Sequence, residues 1–158
     1  MAGVPQFGDL RAELAYRDRP AAFGLCEREG RIALVIVDKP GFAPWLDLPG
    51  GAIDPGESAA QAVVREFGEE TGLRISAGEA FAHADQFFVN TDGEAFNNRA
   101  TFMSVSWLGE APALKIEDDH TLVWIDPHEA IERLRHDAHA WAVSAWLRRV
   151  VAPGRASR

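Results

Sequence analysis

Residues 51–73 read GAIDPGESAAQAVVREFGEETGL, entered through Leu48-Pro49-Gly50. Gly51, Pro55 and Gly56 make the opening of this stretch a loop. Ser58 then offers an N-cap oxygen with Gln61 three residues on, the pairing of a capping box, and Gly72 stands where a helix stops in a left-handed turn. At 100° per residue, Glu66, Glu69 and Glu70 of the helix so bounded fall within about 100° of one another. Ala60, Val63, Val64, Phe67 and Thr71 form a separate stripe suited to a core. Ala59 and Ala62, upstream on nearly the glutamate face, are expected to leave space for a ligand. Between Asp54 and Glu70 five acids face one base, Arg65, so 17 residues supply half of the chain's net charge of -8. Like charges this close repel. A solvated helix face usually interleaves Lys and Arg, whereas this one has Arg65 alone and follows a glycine-rich loop. Hard divalent cations such as Mg2+ take oxygen ligands and bridge carboxylates to phosphates. Bound there, they turn an acidic face into one that accepts an anion.

Upstream, Ala21–Glu27 and Arg31–Val37 are apolar or β-branched runs either side of Arg28-Glu29-Gly30, which predicts a hairpin turning at Gly30. The second run has no polar alternate, the pattern of a strand covered on both faces. Downstream, Phe81–Asn90 and Arg99–Leu108 read as strands joined by Thr91-Asp92-Gly93-Glu94 and Asn97-Asn98 as turn material. Thr121–Ile125 reads as another short strand. Asp126-Pro127-His128-Glu129 supplies an N-cap, a proline at the first helical position and a glutamate for a capping box. His136–Val151 carries Trp141, Ala145, Trp146 and Val150 at helical spacing. Mixed strands and helices of this kind predict an α/β (α+β) layered sandwich. Residues 1–20 read as a loosely attached arm, 21–151 as the domain and 152–158 as a tail.

The chain has 158 residues, 47% apolar and 25% charged, enough for one core and too ordered a composition for a disordered chain. Its negative charge is the wrong sign for holding a nucleic acid polymer over the whole surface. One cysteine, Cys26, permits no intramolecular disulfide, and no apolar run approaches 18 residues, so no membrane partner is expected. With no basic-then-apolar leader at Met-Ala-Gly, the expected location is cytoplasmic.

Gly51, Glu57 and Arg65-Glu66-Phe67-Gly68-Glu69-Glu70-Thr71-Gly72-Leu73 match all nine specified positions of the Nudix box, and the chain resembles the Nudix hydrolases over about 21–151. The resemblance implies a Nudix α/β/α sandwich with a mixed central sheet. It implies hydrolysis of a nucleoside diphosphate linked to another moiety, with Mg2+ as cofactor and Mn2+ as a substitute. Carried onto this sequence, it makes Glu66, Glu69 and Glu70 metal ligands, with the Gly50 carbonyl as a backbone ligand and Glu57 less directly engaged. Arg65 is then a residue that orients Glu57 or Glu69. Nudix enzymes differ in which carboxylate takes the proton of the attacking water, and some use an acid outside the box. Glu117-Asp118-Asp119 is the outside candidate here, with Glu94 second.

Other residues weighed for substrate are Trp45, before the box, for stacking on a base, and Arg99 for a phosphate; Asp118 and Asp119 complete the substrate-side set. Phe87, Phe88 and Phe96 suit a base pocket or simple packing. His136 and His139 share a helix face but lack a third ligand nearby, which argues against a transition-metal site. No proline follows the box before Pro112, and no signature selects a substrate; a small-molecule nucleotide, by default a nucleoside triphosphate, is the expected partner. The alternative is a catalytically silent Nudix-fold module that senses a nucleotide or binds a partner. Such a module has no physical need to keep three mutually repelling glutamates together. Oligomeric state is not legible.

Overall fold

Ala21, Phe23 and Leu25 belong to one apolar cluster and Ala22 and Cys26 to another, and all are buried. Successive side chains of a strand point to opposite faces, so a run without polar alternates needs cover on both. The computed structural model, which describes residues 3–151, supplies that cover. The elements are β1 (Gln6–Phe7), β2 (Arg17–Arg28), β3 (Arg31–Val37), β4 (Trp45–Asp47), β5 (Gly50–Ala52), α1 (Ala59–Thr71), β6 (Leu73–Val89), β7 (Ala95–Glu110), a 3-10 turn at Pro112–Leu114, β8 (His120–Ile125), α2 (Pro127–Arg133) and α3 (Asp137–Val151).

The strands form one mixed, curled sheet in the order β1-β6-β7-β2-β3-β4, with β5 on β2 and β8 on β3. β6 and β7 are a long antiparallel hairpin. β2 runs parallel to β7 from Arg17 to Cys26 and turns back into β3 through Glu29 and Gly30, both at positive φ. One face packs on Ala130 of α2, on Leu134 just after it, and on Ala138, Ala142 and Val143 of α3. The other packs on Ala62, Val63 and Phe67 of α1. Gly24 lets α1 come this close, because a Cβ there would lie 2.5 Å from the Phe67 ring. The result is the expected α+β sandwich, with α1 on one side of the sheet and α2 and α3 on the other.

Several expectations need correcting. Asn97 and Asn98 are not turn residues; both are buried in β7, where Asn97 exchanges two amide hydrogen bonds with Gln6 (3.0 and 3.2 Å) and Asn98 accepts from Arg19 Nε at 2.8 Å. Partners some eighty or ninety residues away stabilise these amides in a strand, and no local window contains them. The arm over residues 1–20 is attached twice, by β1 pairing with Asp85 and Gln86 and by β2 starting at Arg17. On α1, Ala62 is fully buried and Val64 is exposed, so the core stripe lies one step around from the predicted one and Ala62 opens no ligand space. Asp126 caps α2 as expected, but Glu129 pairs with Arg133 instead of closing a capping box. The tail, 152–158, lies outside the described residues.

Candidate active site

Ser58 accepts from the Gln61 backbone while the Gln61 side chain returns to the Ser58 N–H, and Gly72 closes α1 at φ 70°. This punctuation fixes where α1 starts and stops, and with it where the glutamates stand. Arg65 is their hub. Its Nε and Nη2 make a two-pronged contact with Glu57 at 2.8 and 2.9 Å, and its Nη1 donates to Glu66 at 3.0 Å and Glu69 at 3.2 Å. Nη2 also reaches the Ala52 carbonyl at 3.1 Å, which ties the helix to β5. Forked contacts of this kind hold carboxylates in a defined plane. The hydrogen bonds from Arg65 hold the Glu57 carboxyl down at about 2. Burial pushes Glu66 upward, with Glu69 and Glu117 adding like charge and Arg65 opposing.

Glu70 is the most enclosed of the four, its side chain only 5% exposed. Its Oε1 accepts from the Gly50 N–H at 3.0 Å, and its Oε2 lies 3.1 Å from His120 Nε2 on β8. Burial raises its pKa against those two hydrogen bonds. Gly50 is at φ 147°, and a Cβ on it would sit 2.2 Å from the Ala22 carbonyl oxygen; only glycine fits. At Gly51 a Cβ would stand 2.9 Å from Glu66 Oε1, so the bare backbone leaves the carboxylate its room. The loop is steadied from the far layer as well: the Leu48 N–H donates to Nδ1 of the buried His139 on α3 at 3.2 Å.

Glu57, Glu66, Glu69 and Glu70 offer only oxygen donors, and such a set would suit a hard divalent cation and not a soft one. The outside acids fare differently. Asp118 is exposed, Asp119 pairs with Lys39 at 2.6 Å, Glu94 pairs with Arg17 at 3.0 Å, and Glu117 is half-buried within electrostatic reach of Glu66. Glu117, Asp119 and His120 also form an oxygen-and-nitrogen group compact enough for a cation.

Of the substrate candidates, Trp45 is engaged with other groups: its Nε1 donates to Asp47 at 2.9 Å and the Arg135 guanidinium covers its ring at 4.3 Å. Arg99 is exposed and engages both Asp18, at 3.1 Å, and Asp85, so its charge is neutralised. Sequence reasoning missed Arg19. It stands two residues before Ala21, on the α3 side of β2. Its guanidinium lies 4.8 Å from the Phe96 ring centre and 5.1 Å from that of Phe88, within the field of Glu66 and of Arg135. No carboxylate pairs with it among the described residues, and burial lowers its pKa. Phe88 and Phe96 are stacked at 5.7 Å, His136 stands edge-on to Phe88, and a neighbouring cavity of about 380 Å3 is lined by Arg11, Gln86, Phe87, Phe88, Arg135 and Asp137. An arginine in a strand that ends in apolar residues carries no local sign of this role.

The NUDIX domain family model matches residues 15–147. The chain belongs to the Nudix family. It is 32% identical over 111 residues to a putative mutator protein MutT4 of Mycobacterium tuberculosis, an alignment covering 69% of this chain and 44% of that protein. The chain thus spans less than half the length of that relative. It is 30% identical to the CTP pyrophosphohydrolase of Escherichia coli over 68% of this chain and 76% of the relative. Among solved structures, a Nudix hydrolase from Nitrosomonas europaea superimposes with a TM-score of 0.69 at 20% identity, covering 82% of this chain and 88% of that one, which shows a shared Nudix fold.

Proposed function

We propose that the chain is a Mg2+-dependent pyrophosphohydrolase that cleaves a phosphoanhydride bond of a nucleoside triphosphate or similar small nucleotide. The observation that carries this is the gathering of Glu57, Glu66 and Glu69 on Arg65, with Glu70 alongside and Arg19, paired with no carboxylate among the described residues, within the field of Glu66. Glu66, Glu69, Glu70 and the Gly50 carbonyl would hold the cation, with Glu57 supporting through Arg65. Bound there, Mg2+ supplies Lewis-acid polarisation of a phosphoryl oxygen and a lowered pKa for water. Arg19 binds the polyphosphate from the opposite side, where a half-buried guanidinium needs an anion. Phe88 and Phe96 offer apolar faces for the base or sugar. Glu117 is the carboxylate best placed outside the box to take the water's proton, because Asp119 and Glu94 are already paired. Cys26, the one cysteine, does not suit the part of a covalent nucleophile: it is buried and its thiol is pushed up to about 11 by burial.

The mutator and CTP pyrophosphohydrolase names of the relatives support a nucleoside triphosphate as the substrate class. The test is a nucleotide panel with Mg2+ or Mn2+ and product identification. Nucleoside monophosphate and pyrophosphate are expected, with label from 18O-water in one product in a single turnover. Turnover undiminished in excess chelator would refute the metal assignment, and a trapped phosphoprotein would refute direct attack by water. Either cation should also raise the melting temperature, since it binds the folded chain.

A further inference from the structure

Outside the box, one line of side chains ends on Glu70. His120 Nε2 is 3.1 Å from Glu70 Oε2, and His120 Nδ1 is 2.7 Å from Asp119 Oδ1. Asp119 Oδ2 in turn accepts from Lys39 Nζ at 2.6 Å. The line runs from the loop after β3, through the start of β8, to the last turn of α1. We propose that His120, Asp119 and Lys39 are positioning residues that fix the Glu70 carboxylate for cation binding, an inference that rests on Glu70 being a ligand.

The geometry defines what each member does. Glu70 is held at both oxygens, by the Gly50 N–H at Oε1 and by His120 at Oε2, which settles the carboxylate plane. Asp119 orients the imidazole by taking its other N–H, and Lys39 anchors Asp119. Both ring nitrogens of His120 are thus taken up, Nε2 by Glu70 and Nδ1 by Asp119. Hydrogen-bonded partners behind metal ligands set ligand direction, and losing one typically weakens metal binding by about 10- to 100-fold. The same residues invite a competing interpretation, a cation held directly by Glu117, Asp119 and His120. Holding it would require an imidazole lone pair, and both ring nitrogens are already engaged by carboxylates. This geometry favours positioning over ligation.

The probe is Mn2+ alone, its affinity for the full chain measured by electron paramagnetic resonance, with metal-free melting curves on every variant. His120→Phe keeps a ring and removes both hydrogen bonds; it is expected to weaken Mn2+ binding by roughly 10- to 100-fold. His120→Gln, whose amide N–H can reach Glu70, should recover affinity to within a few-fold of the parent. Glu70→Gln should lose as much as His120→Phe, and the double variant should lose little more, because both act at one ligand. Lys39→Met, at a part-exposed site, should show a smaller loss and serves as the test if His120→Phe does not fold. Unchanged affinity in His120→Phe, or in Lys39→Met in its place, overturns the proposal while leaving Glu70 as a ligand. Losses that add in the double variant and are not recovered by His120→Gln indicate direct ligation by His120 and overturn it as well. Unchanged affinity in Glu70→Gln overturns both the positioning and the ligand assignment beneath it.

Discussion

Glu69 and Glu70 are sequence neighbours with different surroundings, and the difference makes their variants separable. Glu69 is partly exposed and meets Arg65 at 3.2 Å, whereas Glu70 is buried between two donors, Gly50 N–H and His120. A glutamine at 69 keeps its shape and removes one of several repelling charges, so Glu69→Gln should lose kcat by orders of magnitude with metal-free stability unchanged or slightly raised. A glutamine at 70 replaces a charged acceptor by a neutral one in the buried contacts with Gly50 and His120, at a cost of about 1–3 kcal/mol. Glu70→Gln is therefore expected to lose kcat and also melt lower; calorimetry without metal distinguishes the two. Arg19→Ala removes a charged contact from the opposite wall and should raise KM by roughly 10- to 100-fold, the equivalent of a charge-assisted hydrogen bond. A steady-state KM equal to the parent's would remove Arg19 from the binding surface. The glutamates were legible in the sequence because helical spacing alone puts them together. Arg19 and His120 were not, since their positions follow from strand pairing: Arg19 meets Asn98 across 79 residues and His120 meets Glu70 across the sheet-to-helix layer.

Helix α1 shows how far local rules reach at the scale of an element. Both of its ends obeyed the sequence, down to the reciprocal capping box at Ser58 and Gln61 and the left-handed Gly72. Ser58→Ala should lower stability by about 1 kcal/mol. Fraying from that end reaches Arg65 within two turns, so Mn2+ affinity should fall too, and a denaturant titration paired with a metal titration checks both. The buried stripe was less legible. A helical wheel orders residues around an axis but does not say which direction faces the sheet. That direction is set by Gly24, where Phe67 comes against bare β2 backbone, and the rotation buries Ala62 and exposes Val64. The Asn97-Asn98 strand was misread for a related reason, because the polarity of two amides outweighs their pairing only when the partner is unknown.

For the whole molecule, the layer between sheet and α3 holds two histidines that fold uncharged. His136 is pushed down to about 3 and His139 well below its ordinary value, by burial first and then by neighbouring positive charge from Arg135. Both lose protons on folding, so the unfolded chain binds more protons below about pH 6.5. Stability should be full above that pH and fall as pH drops toward 3, by at most about 1.4 kcal/mol per pH unit for each histidine. Unfolding followed at pH 7, 6 and 5 measures the slope, and His136→Phe should flatten it. The overall sandwich was legible from apolar runs and caps, whereas the order of strands was not, because β2 takes as its long partner a strand far down the chain. Arg17 is in register with Phe96 and Cys26 with Val105. In a chain made from its amino end, β2 leaves the ribosome long before β7 exists. Until then the side of Ala21–Cys26 that takes β7 is an unpaired apolar edge, the kind of edge that captures other chains. Nascent chains halted before Ala95 should accordingly be sensitive to protease and prone to associate, while chains extended past Glu110 should be protected. The glutamate cluster thus has no scaffold during most of its own synthesis, and the timing of translation, more than the box itself, decides when the site first comes into being.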